Sequence, residues 1–214
     1  MPSFFIRTSG CNLRCTWCDT PYASWAPEGG ARGIADLVRE CAESPARHVV
    51  VTGGEPMMFA QTEALCGALR DAGLHITIET AGTVFRPVAC DLMSISPKLA
   101  NSTPAAGDPR DPGGAWRLRH EERRINLGAL QALIDAHPQR QLKFVVREPG
   151  DLREIESLLA SLRGLGNDDV LLMPEGISTE TLAARGWIVG ACIARGWRFC
   201  PRLHVELFGN RRGT

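Results

Sequence analysis

Short apolar, β-branched runs alternate along this chain with longer stretches of helical period, and that alternation limits the possible folds more than any other feature. Residues 3–8, 48–52, 75–79, 92–96, 141–146 and 170–173 read as strands. Residues 34–43, 61–72, 126–136, 152–162 and 178–195 read as amphipathic helices. A strand, a helix and a second strand join most easily by a right-handed crossover, which makes the sheet parallel. Six strands fall short of a closed eight-strand barrel. The expectation is therefore an α/β fold, a partial and abridged barrel with a mostly parallel sheet, in one domain over residues 1–214. In such folds the chemistry gathers at the C-terminal ends of the strands. Residues 99–122, rich in Pro, Gly, Asp and Arg, follow neither period and read as a long loop beside the site.

Charge and composition remove several function classes. The formal net charge is +0, so no global field draws the chain to nucleic acid or to an anionic membrane. No apolar run reaches the roughly 18 residues of a membrane span. The N-terminus lacks a signal-peptide core, and the expected location is the cytoplasm. Eight cysteines are many for such a chain. In a reducing compartment, clustered cysteines argue for metal or redox chemistry and against a disulfide framework.

Three of them, Cys11, Cys15 and Cys18, follow the first predicted strand with the spacing C-x3-C-x2-C. One short loop can aim three thiolates at one face of a 4Fe–4S cubane. Such clusters normally take four ligands, so three leave one iron open to a small molecule. S-adenosylmethionine, a radical source, would be positioned by chelation at that iron. Structural zinc is the plainer alternative, but it closes its tetrahedron with a fourth Cys or His. The nearest histidine in sequence is His48. Cys41, Cys66, Cys90, Cys192 and Cys200 show no ligand spacing and read as small buried hydrophobes.

The other unusual segments also fall at predicted strand ends. Thr52-Gly53-Gly54-Glu55-Pro56 follows the second strand, Glu79-Thr80 closes the third, Ser96-Pro97-Lys98 closes the fourth, and Met173-Pro174-Glu175-Gly176 ends the sixth. The cysteine triad followed by Gly-Gly-Glu-Pro resembles the radical S-adenosylmethionine superfamily. The runs FIRTSGCNLRCTWCDTPYAS, IETAGT, SISPKLANS, LKFVV, LMPEG and RLHVELFGNRRGT are more closely similar to the 7-carboxy-7-deazaguanine synthase family, over nearly the whole chain. That resemblance implies a roughly (β6/α3) partial barrel and a homodimer. It also implies conversion of 6-carboxy-5,6,7,8-tetrahydropterin to 7-carboxy-7-deazaguanine with loss of ammonia, in queuosine and 7-deazapurine biosynthesis. The implied cofactors are a 4Fe–4S cluster, S-adenosylmethionine and Mg²⁺. The low cluster potential such chemistry needs implies a strong reductant of the flavodoxin type.

Carried over residue by residue, the resemblance assigns Thr20 to Mg²⁺, an ion that keeps its waters and takes few protein ligands. Gly54, Glu55, Ser96, Pro97, Lys98, Met173, Pro174, Glu175 and Gly176 would line S-adenosylmethionine. Two glycines at a strand end allow close backbone approach, and Glu55 would either hold the turn or meet the methionine ammonium. Arg7 would grip the substrate carboxylate with its forked donors. Thr52 and the free carboxylate of Thr214 would contact the pterin. Without the resemblance, Thr20, Arg7 and Lys98 read as a turn residue and two solvent-facing cations. Family members usually begin with a further strand and a Gln-Gly-Glu-Gly segment about 25 residues before the position of Cys11. This sequence opens at Met1, so one edge strand and part of the substrate pocket are expected to be missing. Ala81 stands where the family frequently has Asn.

Two rival readings use the same triad. One is an activating enzyme for glycyl-radical enzymes, whose substrate is a protein backbone. The other is a non-catalytic iron–sulfur or zinc protein. Ser-Pro-Lys after the fourth strand, Cys-Asp-Thr after the triad and the Gly-Asn-Arg-Arg-Gly-Thr terminus favour the pterin reading over both.

Overall fold

In the computed structural model, which describes residues 1–213, the strands are β1 (Ser3–Thr8), β2 (His48–Gly53), β3 (His75–Thr80), β4 (Leu92–Ile95), β5 (Arg140–Val146), β6 (Val170–Pro174) and β7 (Arg198–Phe199). They form one sheet whose spatial order is the order of the sequence, and every pairing is parallel. β1 and β7 are its edges, so the described sheet is an open section of a barrel. Six strands lie where the sequence pattern places them. β7, only two residues long, is the addition: Leu171 and Leu172 pair with Arg198 and Phe199.

The helices are α1 (Ile34–Glu43), α2 (Gln61–Asp71), α3 (Ala115–Arg123), α4 (Leu127–Ala136), α5 (Asp151–Ala160), α6 (Thr179–Ala183), α7 (Trp187–Arg195) and α8 (Leu203–Phe208). Strand side chains alternate between faces. Ile6, Val49, Val51, Ile76, Ile78, Met93, Ile95, Leu142, Phe144, Val146, Val170 and Leu172 therefore turn to one side and build the core. Leu65 and Leu69 of α2, Leu130 and Leu133 of α4, Ile155 of α5 and Ile188 of α7 complete it. Burying each such side chain contributes roughly 1.5–3 kcal/mol. Cys41, Cys66 and Cys192 sit in this core as plain apolar residues, and Cys90 packs against it. The alternate strand positions, polar for the most part, face the concave side.

Two elements differ from the sequence expectation. Residues 99–122 are not a featureless loop. They contain a 3-10 turn at Ala100–Ser102 and helix α3. Asp111 starts that helix by accepting the amides of Trp116 at 3.1 Å and Arg117 at 2.8 Å. The segment read as one helix over 178–195 is two. Ser178 caps α6 by accepting the Thr181 amide at 3.2 Å, and the chain bends at Ala184–Gly186 before α7.

Candidate active site

The cysteine loop leaves the end of β1 and is held from several sides. Gly10 donates its amide to the Ala23 carbonyl at 2.9 Å, and Cys18 donates to Cys15 at 3.2 Å. Trp25 Nε1 donates to the Cys15 carbonyl at 2.9 Å, and Asn12 Nδ2 to Thr83 Oγ1 at 3.0 Å. Arg14 turns back over the loop: its guanidinium donates to the carbonyls of Cys11 at 2.7 Å and Leu13 at 2.8 Å. It also stacks on the Trp116 ring at 3.8 Å. Burial pushes the imidazole of His120, behind this loop, down to about 4, so it is neutral near pH 7.

Leu13, Cys15 and Ala81 form a small buried cluster, with Cys11, Trp17 and Cys18 packed against it. Burial pushes the Cys15 thiol up to about 12 and the Cys11 thiol up to about 11. Cys18 adds to the rise of both, while Lys98 pulls the other way. Thiols held this high stay protonated at neutral pH until a metal centre displaces the proton. Cys18 Sγ lies 3.2 Å from Ser24 Oγ and 3.7 Å from Thr20 Oγ1. Three soft sulfur donors on one loop, in an apolar pocket beside Lys98, fit a 4Fe–4S cluster with one iron left free.

The glycine pair after β2 locks against this loop. Gly53 has φ +139°, and a Cβ on it would stand 2.2 Å from the Thr8 carbonyl oxygen; on Gly54 it would stand 2.0 Å from the Gly10 carbonyl oxygen. Gly54 and Glu55 donate their amides to Thr8 at 3.0 Å and Gly10 at 2.9 Å. The room that the missing side chains leave is taken by the cysteine loop. Of the two roles open to Glu55, the structure shows it holding the turn. Its carboxylate is fully buried and accepts from Thr80 Oγ1 at 2.7 Å, the Ala81 amide at 2.7 Å and the Met57 amide at 3.0 Å. Lys98 bends back to its own segment, donating to the Ser96 carbonyl at 2.5 Å and Ser96 Oγ at 2.8 Å. Burial lowers its ammonium, while Cys15, Glu55 and Cys11 act to raise it. Lys98 thus feels both the cysteine loop and the glycine turn.

On the concave face, Arg7 pairs in register with Thr52. Thr52 Oγ1 donates to Glu79 Oε2 at 3.2 Å, and Lys143 Nζ donates to Glu79 Oε1 at 2.8 Å. Burial pushes the Glu79 carboxyl up, but Lys143, Thr52 and Arg7 together carry it below the ordinary carboxylate value. Lys143, depressed by burial, is raised in turn by Glu79. The two are therefore an ion pair. Above them Arg202 joins Asp19, the residue after Cys18, and its NH1 lies 3.8 Å from Met173 Sδ. Glu175 is held by Arg185 at 2.8 Å and Arg147 at 3.7 Å, and its amide donates to Val146 at 2.9 Å. Pro174 is buried and Gly176 follows in an extended turn with φ +153°. The sequence-predicted residues thus gather at one end of the sheet. Thr214 lies outside the described residues.

The family description "Radical SAM superfamily" matches residues 5–125. A 7-carboxy-7-deazaguanine synthase of Rhodopirellula baltica is 50% identical over 214 residues, covering 99% of this chain and 81% of the relative. The chain belongs to the 7-carboxy-7-deazaguanine synthase family. A second such synthase, from Halobacterium salinarum, is 44% identical over 100% of this chain and 85% of its own length. The crystal structure of QueE from Escherichia coli superposes with a TM-score of 0.67 at 25% identity, covering 94% of this chain and 85% of that one. Streptococcus suis SuiB bound to S-adenosylmethionine shares the fold, with a TM-score of 0.60 at 12% identity over 96% of this chain and 52% of that one. Membership of the radical SAM superfamily brings with it a 4Fe–4S cluster and S-adenosylmethionine. The full-length identity with the synthases decides against the glycyl-radical activator and the non-catalytic rivals. No helix among the described residues is long and apolar enough to cross a membrane.

For a 7-carboxy-7-deazaguanine synthase, the motifs IETAGT and LKFVV contain Glu79 and Lys143, but nothing in them announces that the two pair. Glu79 and Lys143 lie on β3 and β5, where single polar residues between apolar ones look like ordinary solvent-facing positions. The available signal was their opposite charge on the same face of two strands near the reactive end. His120 and Arg202 carried no signal beyond being a lone histidine and one arginine among many.

Proposed function

We propose that this chain converts 6-carboxy-5,6,7,8-tetrahydropterin to 7-carboxy-7-deazaguanine and ammonia. One observation carries the reading: the three-cysteine loop stands at the strand ends directly over a concave face whose polar set is Arg7, Thr52, Glu79 and Lys143. A small, flat, hydrogen-bonding acid suits such a face better than an apolar ligand or a peptide does. Cys11, Cys15 and Cys18 would hold the cluster, and Gly54, Ser96, Pro97, Lys98 and the 173–176 turn would border S-adenosylmethionine. When bound, that pair supplies the 5′-deoxyadenosyl radical that starts the reaction.

The chain's own groups do the rest. Arg7, exposed at the end of β1, offers a forked contact to the substrate carboxylate. Thr52 Oγ1 is already oriented by Glu79 and fixes the ring beside it. The Glu79–Lys143 pair keeps an acceptor and a donor in place at fixed charge. Thr20, by resemblance, would offer its Oγ1 to Mg²⁺, with water and substrate oxygens completing the ion's shell. Thr214, by resemblance, adds a carboxylate to the pterin. A flavodoxin-type electron donor belongs to the reading through the low potential that the cluster needs. A homodimer, by resemblance, and a cytoplasmic location, as the sequence analysis expects, complete the reading.

The test is anaerobic reconstitution, followed by incubation with dithionite, S-adenosylmethionine, Mg²⁺ and the pterin, with products followed by mass spectrometry. 7-Carboxy-7-deazaguanine is the expected product. Deoxyadenosine without it would retain the radical chemistry and reject the substrate. Neither product from cluster-loaded protein would overturn the proposal.

A further inference from the structure

The middle of the cysteine loop is tied to the interior by a hydrogen-bond relay whose central member, His120, lies in none of the motifs. The amide of Arg14, between Cys11 and Cys15, donates to His120 Nδ1 at 3.1 Å. Because Nδ1 accepts, the ring proton belongs on Nε2, which faces Ser102 Oγ at 2.9 Å. Ser102 then gives its own proton to the Leu99 carbonyl at 2.6 Å. Leu99 directly follows Lys98 of the Ser-Pro-Lys segment. His120 and Ser102 are 0% exposed and Leu99 1%, so water cannot substitute for any member. The same turn also grips the loop further on, since the Thr16 amide donates to the Ser102 carbonyl at 2.8 Å and Trp17 Nε1 to the Asn101 carbonyl at 3.1 Å.

We propose that His120 is a positioning residue for the iron–sulfur cluster. Its Nδ1 holds the Cys11–Cys15 backbone in ligating shape, keeps the Arg14 amide from the cluster sulfurs, and couples the loop to the Lys98–Leu99 segment. This rests on the cluster reading above. Hydrogen bonds to cluster sulfurs are among the factors that set its potential, because they favour the more negative reduced state. An amide committed to a histidine is withheld from that role and keeps the cluster strongly reducing. Helix α3 is thereby a brace behind the cluster.

Three full-length variants separate this role from simple space filling. His120→Ala removes ring and acceptor, His120→Phe restores bulk without an acceptor, and His120→Asn keeps an acceptor close to the position of Nδ1. Each is compared with wild type by hydrogen exchange of the 11–18 segment in the anaerobic apo protein. Each is then reconstituted, and cluster loss to a chelator and the cluster midpoint potential are measured. Exchange and cluster loss should speed up about tenfold in the Ala and Phe variants, the loss of one buried hydrogen bond. Their potentials should rise, while His120→Asn stays near wild type on all three readings. Equal behaviour of the Phe and Asn variants, or an Ala variant indistinguishable from wild type, would overturn the proposal. A wild type that takes up no iron and sulfide would instead reject the functional reading, and exchange in the apo protein would still decide the case of His120.

Discussion

Glu79 and Lys143 show how single residues shape the concave face. The pair spans β3 and β5, and removing one charge leaves the other without its opposite charge in a mostly enclosed place. The Glu79 side chain is 35% exposed, so solvent screens part of the loss. Glu79→Gln should therefore cost about 1–3 kcal/mol in denaturant unfolding and weaken pterin binding with it. The pH dependence has a definite sign. Glu79 has its folded value below 4.5, so the stability it contributes is present above 4.5 and is lost as pH falls through the lowered value. Lys143 is raised above 10.5, and its share is present below 10.5 and lost as pH climbs through the raised value. Unfolding curves of wild type and Glu79→Gln at pH 3 to 7 should therefore converge towards the acid end. Parallel curves would show that the carboxylate charge is not the source. At this scale the sequence disclosed the cysteines, the glycine turn and the Ser-Pro-Lys segment through their unusual spacing. It left the pairings of Glu79, Lys143, Arg202 and His120 unmarked, because the partner that matters to each is distant along the chain.

At the scale of elements, the periodic ones were legible and the others were not. β1 to β6 and α1, α2, α4 and α5 carry strict period-2 or helical patterns, because each packs an apolar face on the one core. α3 buries only His120 and presents arginines and glutamates elsewhere, so it has no stripe to detect. β7 is too short for any period, and its two residues are exposed. A helix anchored by one buried neutral histidine is sensitive to acid. The unfolded chain takes a proton on His120 near 6.5, and the folded chain resists until about 4. The unfolded state thus binds more protons between those values, so the docking of α3 weakens as pH falls through that window and levels off below it. The fluorescence of Trp116, stacked on Arg14, should report this loosening, and His120→Asn should flatten the response. An unchanged signal from pH 7 down to 4 would show that protonation does not reach α3.

Across the whole molecule, the open sheet is spanned at its reactive end by contacts between distant parts of the chain. Arg202, 5% exposed, reaches Asp19 beside the cysteine loop, and Arg212 pairs with Glu28 at 2.9 Å. The first joins the segment after β1 to the segment after β7. Replacing Arg202 with Ala should release both sides together: hydrogen exchange should quicken in residues 19–28 and in 200–213 while the core strands keep their protection. Loss of protection on one side alone would mean that the ion pair does not link them. Elsewhere each strand pairs with its predecessor in the sequence. A ribosome releasing this chain could therefore lay down the sheet one strand at a time in the order of translation, with no strand waiting for a later one. The Asp19–Arg202 and Glu28–Arg212 ties must wait until β7 has been made. The loop can thus be loaded with iron and sulfide before those ties form.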